Sequence, residues 1–234
     1  YCVGCLALMS DFGTALIFFV AFLCIAFLRT GDLPSIVMIT AAAGFAGGIV
    51  LRFKPYVLAR FAVWRHAWEY AQEEGYQQTR TMSAVASGGL FGAGPEEAWL
   101  KYVGAANTDL VFGVVSEEFG LLLALCAVAA IILIAVFAIT SAATARSSFY
   151  TIASCAAAAM LTVQVTLNTL GSVDLLPLTG VTFPFVSMGG SSTLSCWSLM
   201  AFLKAADTRQ NASFAIKLEP KRKRKERSDH YEED

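Results

Sequence analysis

Long apolar runs separated by short polar breaks set the pattern of this chain. Phe12–Leu28 is apolar almost throughout and is closed by Arg29, and Ile36–Leu51 is shorter and carries Gly44, Gly47 and Gly48. Leu110–Ile139 is apolar apart from Ser116, Glu117 and Glu118, and Phe149–Val173 contains Gln164, Asn168 and Gly171. Phe185–Leu203 opens on the small residues Ser187, Gly189, Gly190, Ser191 and Ser192. A membrane helix needs about 20 apolar residues, so the pattern predicts five spans, at 12–28, 36–51, 110–139, 149–173 and 185–203. The runs are too long for strands and do not alternate. The expected fold is an all-α, polytopic helical membrane bundle.

Residues 52–109 are too polar to span a membrane and too aromatic for a plain linker. Phe61, Trp64 and Trp68 recur at helical spacing among Arg60, Arg65 and Glu69, which predicts an amphipathic helix at the membrane interface. The run Ser87–Pro95 then breaks the chain with glycines. It has the look of a phosphate loop, but no Gly-Lys-Ser/Thr follows and no strand precedes it, so a nucleotide site is not expected. Residues 1–203 form the transmembrane domain in this reading, and 204–234 a disordered tail.

Composition agrees. Hydrophobic residues make up 56% of the chain and charged residues 15%, with a mean hydropathy of +0.60, against about 25% charged in a soluble domain. Much of the charge lies in residues 217–234, including Lys221-Arg222-Lys223-Arg224-Lys225. A disordered chain, a nucleic-acid-binding domain and an ordinary soluble enzyme are excluded. Cys24, Cys126, Cys155 and Cys196 lie inside apolar runs as small hydrophobes. Cys2 and Cys5 have no second pair to complete a zinc site and read as two thiols one helical turn apart. The chain opens on Tyr1 with no basic leader, so no signal peptide is expected, and it reads as part of something longer.

Basic residues predict the orientation. With the tail inside, Arg29, Arg146, Lys204, Arg209 and the seven tail residues face the cytoplasm, while Arg52, Lys54, Arg60, Arg65, Arg80 and Lys101 face outward. This bias places the C-terminus in the cytoplasm and the 52–109 loop outside.

Polar groups at membrane depth are costly and are site candidates. Asp109, Gly113, Ser116 and Gly120 share one helical face, with Glu117 at its edge. Gln164, Asn168 and Gly171 share another, as do Ser187, Ser191, Ser195 and Ser198. The simplest arrangement turns these stripes toward a common cleft open to the outside. Hydrogen bonding between helices is the competing reading of the Gln, Asn and Ser stripes, and a carboxylate favoured by the helix dipole is that of Asp109.

Four segments carry a more specific signal. Ser10-Asp11-Phe12-Gly13-Thr14-Ala15-Leu16 resembles the Q-P-D-L-G-T-A-L motif of the shape, elongation, division and sporulation (SEDS) family, the FtsW/RodA/SpoVE proteins. Gly75-Tyr76-Gln77 and Ser87–Gly94 resemble its G-Y-Q…G-S-G-G-L-F-G-K-G. Asn107-Thr108-Asp109-Leu110-Val111-Phe112 with Ser116-Glu117-Glu118-Phe119-Gly120 is similar to H-T-D-F-I-F-A…A-E-E-L-G. Leu175–Gly180 with Pro184–Ser192 resembles L-L-P-V-T-G…P-F-I-S-Y-G-G-S-S.

The resemblance implies a multi-pass protein of the bacterial inner membrane that polymerises lipid II into peptidoglycan glycan strands beside a class B penicillin-binding transpeptidase. It implies ten spans, of which this chain matches the last five. The family's catalytic aspartate maps onto Asp109, with Thr108, Ser116 and Glu117 in support. Departures are Asn107 for its His, Ala105 for the acidic residue of L-P-E and Met188 for the Tyr of S-Y-G-G. Glycan extension needs a base on the attacking hydroxyl, and positive charge, from Arg, Lys or a divalent cation, on the departing diphosphate. Arg60, Arg65, Arg80 and Lys101 are candidates for the diphosphate, and Gln164, Asn168, Ser191 and Ser192 for other substrate contacts. No metal ligands are assigned. The rival readings are a flippase for lipid-linked sugars and a non-catalytic scaffold of the cell-wall machinery.

Overall fold

The computed structural model describes residues 11–53, 55–143 and 147–207. Cys2, Cys5 and the tail beyond 207 lie outside the described residues. Helix α1 (Phe12–Thr30) starts where the Asp11 carboxylate accepts the Thr14 N–H at 3.1 Å and stops where Gly31 turns left-handed (φ 66°) and donates to the Phe27 carbonyl. Asp32 takes the Ser35 N–H at 3.2 Å as α2 (Leu33–Phe53) begins, with Pro34 in the first turn, where its missing N–H costs nothing. Short α3 (Pro55–Val63), α4 (Tyr76–Gly88) and a 3₁₀ turn (Leu100–Tyr102) form the long connection. Then follow α5 (Val111–Phe119), α6 (Leu121–Ala143), α7 (Ser148–Ser172) and a last helix, α8, over 190–207.

The architecture is all-helical, as the apolar pattern predicts. Among the described residues three helices, Phe12–Thr30, Leu121–Ala142 and Ser148–Ser172, are long and apolar enough to cross a membrane, and Leu33–Ile49 is a shorter apolar helix. Helix α7 is central: both α6 and α1 pack against it. Ala135, Ala138 and Ala142 of α6 are buried, as are Ala156, Ala157, Ala158, Leu161 and Val165 of α7. Small residues let the two backbones approach, which is how helices gain contact where lipid removes the hydrophobic drive. The opposite face of α6 leaves Leu122, Leu125, Leu133 and Phe137 exposed, an apolar surface suited to lipid. Gly44, Gly47 and Gly48 of α2 meet nothing within 4 Å of a Cβ position, so the close packing they would permit is not made within the described residues.

The structure revises three sequence expectations. First, the expected single span 110–139 is two helices, α5 and α6, broken at Gly120 (φ 93°). The glycine-rich run folds over the break. Ala93 and Gly94 N–H bond the Glu117 and Glu118 carbonyls, while Leu121 and Leu122 N–H bond the Gly89 and Leu90 carbonyls. Backbone groups freed by the break are thereby satisfied, as apolar surroundings require. A Cβ on Gly88 would stand 2.2 Å from the Ser116 carbonyl oxygen, so that approach admits only glycine. The run is a backbone wrap.

Second, the predicted helix through Phe61, Trp64 and Trp68 ends at Val63. Arg65 turns to φ 65° and gives its N–H to the Asp174 carboxylate at 3.0 Å, a donor that a continuing helix would have used internally. Residues 64–75 run on in successive turns. Third, the last helix begins at 190 rather than 185, because Phe183 N–H bonds the Ser187 hydroxyl and residues 184–187 form a turn.

Candidate active site

The stripe Asp109–Gly113–Ser116–Gly120 does not face one cleft. A Cβ on Gly113 would meet Thr81 and Leu100, at 2.5 and 2.8 Å, and one on Gly120 the Leu90 carbonyl oxygen at 2.3 Å. Ser116 is buried and bonds the Phe112 carbonyl of its own helix at 2.7 Å. Small residues there admit α4 and the glycine wrap, and Asp109 alone of the stripe reaches the site.

Asp109 stands in the turn before α5, in a segment tied from outside at three consecutive carbonyls. Met188 N–H bonds the Asn107 carbonyl at 2.9 Å, Ser187 Oγ donates to that of Thr108 at 2.5 Å, and Asn168 Nδ2 to that of Asp109 at 2.8 Å. The same Asn168 Nδ2 donates to the Val181 carbonyl at 2.7 Å. The α7 amide and the turn before α8 thus place the aspartate backbone. Its carboxylate caps nothing, since the α5 N-cap is Leu110, without a side-chain bond.

The carboxylate lies against Gly180: a Cβ there would be 3.3 Å from Asp109 Oδ2 and 3.7 Å from Arg60 Nη1. Arg60 is held in place by donating to the Leu178 carbonyl at 3.0 Å. Burial pushes the Asp109 carboxyl above the usual carboxylate range. A hydrogen bond from Thr108 and the Arg60 charge pull it back, and Asp11 pushes it up again.

Beside Gly180 opens a cleft of about 460 Å³ between α1, α7 and α8. Asp11, Gln164, Thr182, Ser191 and Ser192 supply its polar lining, above an apolar floor that includes Ile17 and Leu199. Gln164 Nε2 donates to the Thr182 carbonyl and hydroxyl and to Ser192 Oγ at 3.0–3.4 Å. Asp11, Asp109, Arg60, Gln164, Ser191 and Ser192 therefore gather around the 178–182 segment.

The other expected site residues have partners of their own. Asn168 is 2% exposed and meets backbone, so it positions Asp109 rather than touching a ligand. Glu117 is 1% exposed and accepts the N–H groups of Trp99 and Leu100 at 3.1 and 3.0 Å. Arg80 lies over the Tyr76 ring, Arg65 over Trp64, and Lys101 over Tyr102 with its ammonium on the Pro95 carbonyl. Among the described residues no three His, Cys, Asp or Glu side chains converge as metal ligands.

Glu117→Leu would leave the buried Leu100 N–H and the part-buried Trp99 N–H without this acceptor, the buried one costing roughly 1–3 kcal/mol. The expected result is a lower thermal midpoint in detergent and new protease cleavage at 94–100, with Glu118→Gln, the next residue and about 100° around the helix, as the control. Asp174 and Gln78 are not among the site residues that the sequence predicts. The sequence signal for Asp174 is its place directly before Leu175-Leu176-Pro177, which connects two apolar runs over the site.

The cell cycle protein family model (FtsW/RodA/SpoVE) matches residues 1–212. The peptidoglycan glycosyltransferase RodA of Mycobacterium leprae is 31% identical over 202 residues, which is 86% of this chain and 43% of that protein. The probable peptidoglycan glycosyltransferase FtsW of Dichelobacter nodosus is 31% identical over 227 residues, 93% of this chain and 57% of that protein. The chain thus spans about half the length of these relatives. A solved chain from work on the coordination of polymerization and crosslinking by a peptidoglycan synthase complex has the same fold, with TM-score 0.71 at 21% identity over 89% of this chain and 59% of that one.

Proposed function

Because the chain belongs to the FtsW/RodA/SpoVE family of cell cycle proteins, we propose that it is the site-bearing part of a membrane glycosyltransferase that extends peptidoglycan glycan strands from lipid II. One observation carries the reading. A half-buried carboxylate, Asp109, stands uncommitted to any cap, beside a guanidinium and against Gly180, which lines a polar cleft.

In the proposed step, Asp109 takes the proton of a sugar hydroxyl. The freed oxygen pair bonds to the anomeric carbon of the lipid-linked donor, and the bond from that carbon to the diphosphate breaks, its electrons leaving with the lipid diphosphate. Burial makes Asp109 a stronger base than an exposed carboxylate, as proton abstraction requires. Arg60 keeps enough of it ionised to act. A class B penicillin-binding transpeptidase is the proposed partner, the bacterial cell membrane the location, and the cytoplasm the side of the C-terminus. The excess of basic residues in the tail supports the last.

Labelled lipid II supplied to membranes from cells making the protein tests the reading. Glycan polymer is the expected product; translocation without polymer would make it a flippase, and neither would leave a scaffold. The pH profile adds a second check. A base must be ionised, so the rate falls as pH drops through the Asp109 pKa. Arg60→Gln removes a charge that lowers this pKa and moves the acid limb to higher pH, while Asp11→Asn moves it to lower pH.

A further inference from the structure

Arg60 reaches two places at once. Its guanidinium lies beside Gly180 and Asp109, and it also lines a second cavity of about 220 Å³ together with Leu178. The floor of that cavity is apolar, from Ala59, Val63 and Leu178, and its rim carries Arg60, Glu74 and Gln77, with Gln78 behind.

The walls are built before any ligand arrives. Gln78, 3% exposed, donates through Nε2 to the Gly171 carbonyl at 3.1 Å and to Asp174 Oδ1 at 2.9 Å. Asp174 Oδ1 also takes the Arg65 N–H, and Trp64 Nε1 donates to the Leu175 carbonyl at 3.2 Å. With the Arg60–Leu178 bond, these contacts lash the 60–78 stretch onto residues 171–178. Gln77 is set by its own bond to the Gly104 carbonyl at 3.2 Å. A preformed pocket loses little freedom on binding.

The chemistry of the lining selects the ligand. One guanidinium and one carboxylate give the rim no net charge. The Glu74 carboxylate opposes an anionic ligand, so the cavity does not suit a diphosphate. Hydroxyl groups, which both donate and accept, match the guanidinium donors, the carboxylate acceptors and the Gln77 amide. The apolar floor suits the C–H face of a pyranose ring.

We propose that this cavity is a saccharide subsite, holding a neutral sugar ring of the glycan next to the one that reacts at Asp109. The proposal rests on the glycosyltransferase reading and deepens it. It also moves Arg60 from a diphosphate contact to the hinge between two sugar sites.

The test uses the chain in lipid nanodiscs and an N-acetylhexosamine tetramer (chitotetraose) as probe, read by saturation-transfer NMR. Binding is expected for the unaltered chain. It should weaken at least tenfold in Glu74→Ala and in Gln77→Ala, stay unchanged in Glu73→Gln on the same turn, and resist competition by inorganic pyrophosphate. The Glu74 side chain is exposed and makes no hydrogen bond or ion pair among the described residues, so its variant keeps the fold, checked by an unchanged thermal midpoint. No binding, binding indifferent to both variants, or displacement by pyrophosphate would overturn the subsite. Tetramer binding with this dependence, but no glycan made from lipid II by the native membranes, would sink the proposed activity and leave the subsite standing.

Discussion

Asp109→Asn is expected to lower glycan polymerisation by about 10²–10⁴-fold, the usual contribution of a positioned general base, without unfolding the chain. The amide matches the carboxylate in size, and the backbone ties at residues 107, 108 and 109 do not involve the side chain. The change should even favour the folded state at neutral pH. Burial raises the Asp109 pKa on folding, so the folded chain binds the proton more tightly than the unfolded one. Stability therefore falls as pH rises through the two pKa values, and at neutral pH the ionised group is a net cost. The substituted amide does not titrate. Polymer formation from lipid II and the thermal midpoint against pH are the two measurements. Loss of activity with a retained midpoint, and loss of the pH-dependent step, is the expected pair. Polymer at the unaltered rate would remove Asp109 as the base.

Asn168→Leu is expected to cost both stability and activity. Its amide serves the carbonyls of Asp109 and Val181 together, at 2.8 and 2.7 Å. Leucine would leave both without this donor, at roughly 1–3 kcal/mol for each group left unsatisfied. It would also release the aspartate backbone from the 180–182 segment, and a displacement of about 1 Å at a reacting group costs on the order of 10²-fold in rate. Asn168→Asp keeps the volume but faces two carbonyl oxygens with a carboxylate, so it should fail as well. Because Asn168 touches no substrate, kcat should fall with KM nearly constant. A KM effect alone would make it a binding residue instead.

The contrast between these two positions shows what the residues themselves disclose. Asp109 can be picked out because a carboxylate at the mouth of an apolar run is costly without a purpose, and because its neighbours resemble a family motif. Asn168 and Glu117 meet the same test of polarity at depth, and so read as a substrate contact and as support for the base. Both instead satisfy backbone: Asn168 two carbonyls, Glu117 two N–H groups of the turn at 99–100. A side chain's spacing on its helix tells which face it occupies, but not which loop returns to meet that face. Arg65, Arg80 and Lys101 show a related difference. Their charge is plain in the sequence, and their stacking on Trp64, Tyr76 and Tyr102 is not.

The break at Gly120 is invisible in the sequence for a different reason. One glycine in an apolar run costs only about 1 kcal/mol relative to alanine, too little to mark a boundary. What decides the break is the wrap of residues 89–94, which supplies hydrogen bonds to both helix ends.

The amino-acid order by itself determined that this chain is helical and membrane-bound, because runs of apolar residues near 20 long leave backbone groups only helical solutions in lipid. It also determined the chemistry on offer, one carboxylate and a set of amides, hydroxyls and cations. Only the tertiary structure decided which of those groups meet. Asp109, Arg60 and Gly180 come together because three stretches distant along the chain are tied by hydrogen bonds between side chains and carbonyls. Such bonds depend on positions in space, which no local periodicity encodes.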